Sequence, residues 1–136
     1  YQPITGEIAE AGFQKFYDRV FNEVTTRFAT VEEAEICRMT SDEWFESMMS
    51  AKGHGNKEML DWIYVDGDHS YEGCLSDLEN SLEVVRPGGF ILGDDYGWPN
   101  AKWSKAGVTK AVNEFINKHK LNKMLRHGEN QYEIRI

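Results

Sequence analysis

Apolar residues recur at steps of three and four through Phe13, Phe16, Tyr17, Val20, Phe21, Val24 and Phe28. This is the spacing of one helical face, so residues 13–28 are predicted to form a helix of about 16 residues whose stripe is core. Residues 34–39 read as a short strand. Ser41, followed by Asp42 and Glu43, has the chemistry of a helix start, and a second helix is predicted from there through Met49. Residues 51–57, with Gly53, His54 and Gly55, read as a loop. Residues 62–65 are an uninterrupted apolar run that stops at Asp66, Gly67, Asp68 and His69, the pattern of a strand buried on both faces. Leu75, Leu78, Leu82 and Val85 mark the next helix. Arg86, Pro87, Gly88 and Gly89 end it, because proline lacks the N–H and glycine accepts the left-handed turn. Residues 90–93 repeat the buried-strand pattern and again run into carboxylates, Asp94 and Asp95. Val108, Ala111, Val112, Phe115 and Ile116 stripe another helix. Residues 121–126 and 131–136 form a closing hairpin around Gly128 and Asn130. Strand, helix, strand, helix, hairpin is an α/β pattern with a mainly parallel sheet.

Composition narrows this picture. The 136 residues include 12 Gly and 3 Pro with no repeat or low-complexity tract, which predicts a single domain over 1–136, long enough to bury about two thirds of its unfolded surface. The net charge of -8 opposes a polyanion, so nucleic acid is excluded as the main partner. No apolar run nears the roughly 20 residues of a membrane span, which predicts a soluble protein with no membrane partner. Cys37 and Cys74 fall in a predicted strand and a predicted helix, with no CxxC or Cys-His grouping. They read as reduced interior residues of a cytoplasmic protein. The chain opens on Tyr1 rather than Met, as a portion of something longer would.

Two neighbouring strands that both end in acidic residues place Asp66, Asp68, Asp94 and Asp95 at the carboxyl edge of the sheet, where open α/β folds bind ligands. Such carboxylates repel unless protons or a cation intervene, and their convergence points to a hard divalent metal. The alternative is that individual members cap helices or solvate loops, and Asp68 is placed to cap the helix beginning near Tyr71. His69 reads as a general base, a metal ligand or a surface loop residue. His54, His119 and His127 read as surface residues. Trp98 and Trp103, around Pro99, either wall a substrate pocket or pack within a loop.

The blocks Asp61-Trp-Ile-Tyr-Val-Asp-Gly-Asp-His-Ser-Tyr-Glu-Gly73, Arg86-Pro-Gly-Gly-Phe-Ile-Leu-Gly-Asp-Asp-Tyr96 and Gly107-Val-Thr-Lys-Ala-Val112 together resemble the second half of class I S-adenosylmethionine-dependent methyltransferases. The branch they resemble is the bacterial one akin to metal-dependent O-methyltransferases of the macrocin and catechol types. The resemblance implies a Rossmann-like fold. Its remaining strands would run fourth, fifth, seventh, sixth, with the seventh antiparallel. It further implies S-adenosylmethionine as donor, Mg²⁺ or another divalent cation held by Asp66, Asp94 and Asp95, and Asp68 and His69 facing an acceptor hydroxyl on a small molecule or sugar. Ser41, with Asp42 beside it and the turn at Asp66, would contact the donor. The family's Gly-rich loop after its first strand, and the acidic residue ending its second, have no counterpart in residues 1–136.

Two rival readings stand beside this one. An apolar strand ending in Asp66-Gly67-Asp68 also fits a metal-dependent glycosyltransferase. A methyltransferase-like fragment without a donor pocket would serve as an interaction module. With the family's central strands missing, the strand at 62–65 has an open edge. Either residues 35–39 are expected to pair with it, or a second copy of the chain does, giving a homo-oligomer.

Overall fold

The three-and-four spacing of the first segment produces a helix, α1 (Glu7–Phe28), of 22 residues. In the computed structural model, residues 7–51, 59–97, 107–121, 124–128 and 130–136 are described. The chain folds as two compact units, Tyr1–Met39 and Thr40–Ile136. In the first unit, Arg38 turns back onto α1, bonding Asp18 and lying 5.4 Å over the Phe21 ring. Two expectations fail here. Residues 34–39 form no strand, so they do not pair with any sheet edge, and Cys37 is exposed rather than interior. The α1 stripe is not core either: Phe13, Phe16, Tyr17, Val20 and Phe28 are exposed. Periodicity reports that one face of a helix is apolar, not that anything covers it.

The second unit begins with α2 (Ser41–Ala51), capped one residue earlier than expected. Thr40 Oγ1 accepts from Glu43 N at 3.3 Å, and Glu43 Oε2 accepts from Thr40 N at 2.8 Å, a reciprocal capping box. β1 (Leu60–Val65) follows, then α3 (Tyr71–Val84), β2 (Val85–Gly93), α4 (Gly107–His119), β3 (Met124–His127) and β4 (Gln131–Arg135). Ser70 starts α3, accepting from Gly73 N at 3.0 Å. Arg86-Pro87-Gly88-Gly89 forms an irregular bulge within β2, with Gly88 at φ 83: the pairing passes from Leu60↔Val85 to Trp62↔Phe90. Helix α3 gives way at Val84 directly to the extended residue Val85, and proline at 87 disfavours a helical Arg86 beyond it.

The sheet order is β1-β2-β4-β3, with β1 parallel to β2 and the hairpin strands antiparallel, as the methyltransferase arrangement predicts. Cross-strand partners Ile63↔Ile91 and Ile91↔Ile134 lie on one face. That face packs with Cys74, Leu78 and Val84 of α3 and Val108, Ala111, Val112 and Phe115 of α4 into a single core. At the carboxyl end of β2 the Tyr132 ring lies against Gly93. A Cβ there would fall 2.3 Å from the Tyr132 hydroxyl oxygen, so only glycine fits. The opposite face carries Trp62, Tyr64, Phe90 and Leu92, and Trp62 and Tyr64 are exposed. Neither strand is therefore buried on both faces, because α3 and α4 cover one side alone. The expected tryptophan pair, Trp98 and Trp103, and His54 lie outside the described residues. No described helix is long and apolar enough to cross a membrane.

Two outcomes test this packing. The buried Tyr132 hydroxyl has no oxygen or nitrogen partner among the described residues, and the weakly bonding Cys74 thiol is the polar group beside it. Tyr132→Phe is therefore expected to raise stability by about 1 kcal/mol in chemical denaturation, whereas a loss would reveal a partner. Among the described strands β1 is an edge, and residues 1–136 expressed alone are expected to associate through it. Light scattering should show a dimer that Trp62→Lys returns to monomer, and a monomeric wild type with rapidly exchanging β1 amides would refute this.

Candidate functional site

Level pairing of Val65 with Gly93 brings the ends of β1 and β2 to the same height. The residues that follow each strand therefore emerge together at the carboxyl edge. After β1, Asp66 leads into the turn that starts α3. After β2, the Asp94 carboxylate accepts from the backbone N of Asp95 at 2.9 Å, and Asp95 takes φ 63. That left-handed conformation is one aspartate tolerates better than most residues. It leaves the Asp95 side chain only 10% exposed and aimed at His69, whose Nδ1 lies 2.9 Å from Asp95 Oδ2. The other ring nitrogen, Nε2, stands 3.3 Å from Asp66 Oδ1. A single imidazole thus sits between two carboxylates, donating to both when doubly protonated.

Asp66, His69 and Asp95 each offer one ligand atom, all within 4.8 Å of one another. A divalent cation about 2.1–2.5 Å from each ligand needs separations of this order. The donor set fits such an ion, and the half-exposed Asp66 and His69 leave one side open for water or substrate oxygen. Two carboxylates with one imidazole suit Mn²⁺ or Fe²⁺ better than Mg²⁺. The expected ligand set was Asp66, Asp94 and Asp95. In the structure His69 joins Asp66 and Asp95, and the Asp94 carboxylate is engaged by the Asp95 backbone.

Asp68 is turned toward the helix. Its Oδ1 accepts from Ser70 N and its Oδ2 from Ser70 Oγ, both at 2.8 Å, bonds that hold its carboxyl below the ordinary range. It buttresses the cap of α3 while Ser70 itself does the capping. His119 is not a free surface residue: its Nε2 meets Glu79 Oε2 at 2.9 Å and its ring packs on Phe115. The His127 side chain lies outside the description. Cys74 is buried as expected, and burial pushes its thiol up to about 12, so it stays protonated.

On the other side of the β1 turn, Ser41 and Asp42 are exposed at the start of α2. Because Thr40 does the capping, the Ser41 hydroxyl is released and donates to Asp77 Oδ2 at 3.4 Å. Sequence reasoning passed over Asp77. The readable signal is an acidic residue on the buried face of α3, three after Cys74 and four before Ser81. Burial raises its carboxyl, as do the Asp42 and Asp68 charges, against a lowering by Ser41.

A carboxyl raised on folding stabilises at low pH, and that contribution is lost as pH rises through its folded value. Asp77→Asn is therefore expected to raise the melting temperature by a few degrees at pH 7. The gain should shrink toward pH 4, as thermal denaturation across pH would show, and a gain that does not depend on pH would contradict this charge account.

The sequence profile of a methyltransferase domain matches residues 6–96. An uncharacterized protein, R132 of Acanthamoeba polyphaga mimivirus, is 35% identical over 57 residues, which cover 42% of this chain and 24% of that protein. Among solved structures, the O-methyltransferase NovP aligns with 57% of this chain and 30% of its own, at 23% identity and a TM-score of 0.47. The chain thus spans well under two thirds of the relatives it matches. Since the profile runs through both parallel strands and through Asp66, His69 and Asp95, the chain belongs to the methyltransferase-domain family.

Proposed function

We propose that this chain is the acceptor-side portion of an S-adenosylmethionine-dependent methyltransferase that methylates a hydroxyl of a small molecule or sugar with the help of a divalent cation. The observation that supports this reading is the convergence of Asp66, His69 and Asp95 at the carboxyl edge in a chain of the methyltransferase-domain family. Those three residues would hold the cation, which when bound acidifies and orients the acceptor oxygen. The remaining contribution of the protein is alignment: a hydroxyl oxygen held in line with a donor methyl reacts without the entropy cost of a chance encounter. Asp68, tied to Ser70, keeps the start of α3 in place beside His69.

Family membership implies S-adenosylmethionine as donor, and the residues present fit part of it. Ser41, Asp42 and the turn at Asp66 line one side. Among the described residues no strand precedes β1, so none of them supplies a Gly-rich turn after a first strand or a ribose-binding carboxylate at the end of a second. The rest of the donor site is proposed to come from outside these residues.

Two measurements test the reading. Calorimetric titration of the chain with Mn²⁺ is expected to show saturable binding that Asp95→Asn weakens about tenfold or more. Equal heats from both proteins would remove the metal from the proposal. Each missing charge-assisted hydrogen bond to the donor contributes about 1.5–3 kcal/mol, so residues 1–136 alone are expected not to bind S-adenosylmethionine in the micromolar range. Extending the chain by its natural upstream residues should restore binding. Tight binding to the short chain, competed by S-adenosylhomocysteine, would mean that another segment does the work of the Gly-rich turn.

A further inference from the structure

Asp77 lies outside the metal grouping and no step above uses it. Its residue is 7% exposed, on the face of α3 that also buries Cys74 and Ser81. Its one side-chain hydrogen bond among the described residues is the long one from Ser41. The charges that act on it, Asp42 and Asp68, are of its own sign. A buried carboxylate compensated this weakly costs stability that a neutral side chain would not. What the carboxylate does reach is two segments of the carboxyl edge that are 26 residues apart in sequence, Ser41 and Gly67. A Cβ on Gly67 would fall 3.2 Å from Asp77 Oδ2 and 3.6 Å from Ser41 Oγ, so the turn lies directly on this pair.

We propose that Asp77 is a positioning residue: from inside the unit it joins the start of α2 to the Asp66-Gly67-Asp68 turn and thereby sets the spacing between Ser41 and Asp66. This deepens the reading above, since those two residues line the donor side. The mechanical joining itself stands or falls independently. The hydrogen bond holds one segment, and the carboxylate limits how closely the turn at Gly67 can approach. Asparagine at 77 keeps both contacts, while alanine loses both.

Hydrogen exchange on the 136-residue chain tests this with wild type, Asp77→Ala, Asp77→Asn, Asp77→Leu and Ser41→Ala. Asp77→Ala is expected to speed exchange about tenfold in residues 41–44 and 66–70 together, and Ser41→Ala in residues 41–44, both leaving β1 and β2 at the wild-type rate. Asp77→Asn should keep the wild-type pattern, whereas Asp77→Leu, which fills the same space without a hydrogen-bond acceptor, should loosen the two segments as alanine does. The proposal is overturned by loosening confined to α3, by a uniform rise across Thr40–Ile136, or by Asp77→Asn as loose as Asp77→Ala. Should Asp77→Ala not fold, Ser41→Ala and Gly67→Ala read the same coupling from its two ends. Failure of wild type to bind Mn²⁺ would strike the functional reading alone and leave these exchange outcomes to decide the joining.

Discussion

The parallel pairing of β1 with β2, level at Val65 and Gly93, is the constraint on which the carboxyl edge depends. It forces Asp66 and Asp95 to leave the sheet as neighbours, although like charges a few ångströms apart repel by about 1 kcal/mol even in water. His69 stands between them, and it can do so because α3 begins only two residues later and draws the turn tight. On the opposite side of β2, the Tyr132 ring lies against Gly93 and closes the core beneath the same edge. A slip of one residue in either pairing would send the acidic residues to different faces.

Helix starts then decide which polar groups are free. Thr40 and Glu43 satisfy the first turn of α2 between themselves, so the Ser41 hydroxyl is released to Asp77. Ser70 caps α3 with Asp68 behind it, so Asp68 is committed to the helix rather than to the open side of the edge. Around the carboxyl edge, capping and site-building draw on the same short polar side chains. Which role each takes follows from a difference of a single residue in where the helix begins.

Among the described residues, the unit Thr40–Ile136 is layered on one side only. Helices α3 and α4 bury Ile91 and Ile134 completely, while Trp62 and Tyr64 on the other face of the sheet stay exposed. The match to the methyltransferase-domain family runs through both parallel strands, and the chain corresponds to only part of the length of its relatives. The apolar face of the sheet and the acidic edge are therefore features of different kinds. The edge is built by contacts within this unit, whereas nothing among the described residues of the unit covers the face.

Much of the architecture was legible because it rests on local periodicity and on abrupt changes of polarity. The apolar runs that stop at Asp66 and Asp94 marked both parallel strands, the stripe from Val108 to Ile116 marked α4, and Gly128 marked the hairpin. The α/β class followed from their order. Residues 34–39 misled because a few β-prone residues become a strand only when a neighbour supplies hydrogen bonds, and the stripe of α1 misled because an apolar face does not name its partner. The site divided in the same way. Sequence alone marked Asp66, Asp68, Asp94 and Asp95 as candidates for the edge, since all four lie within three residues of a strand end. Only the tertiary structure decided that His69 stands between Asp66 and Asp95, that Asp94 turns to its own backbone, and that Asp77 reaches Ser41. Each of those outcomes depends on a dihedral angle or a distance between segments far apart in the chain, which no one-dimensional pattern encodes.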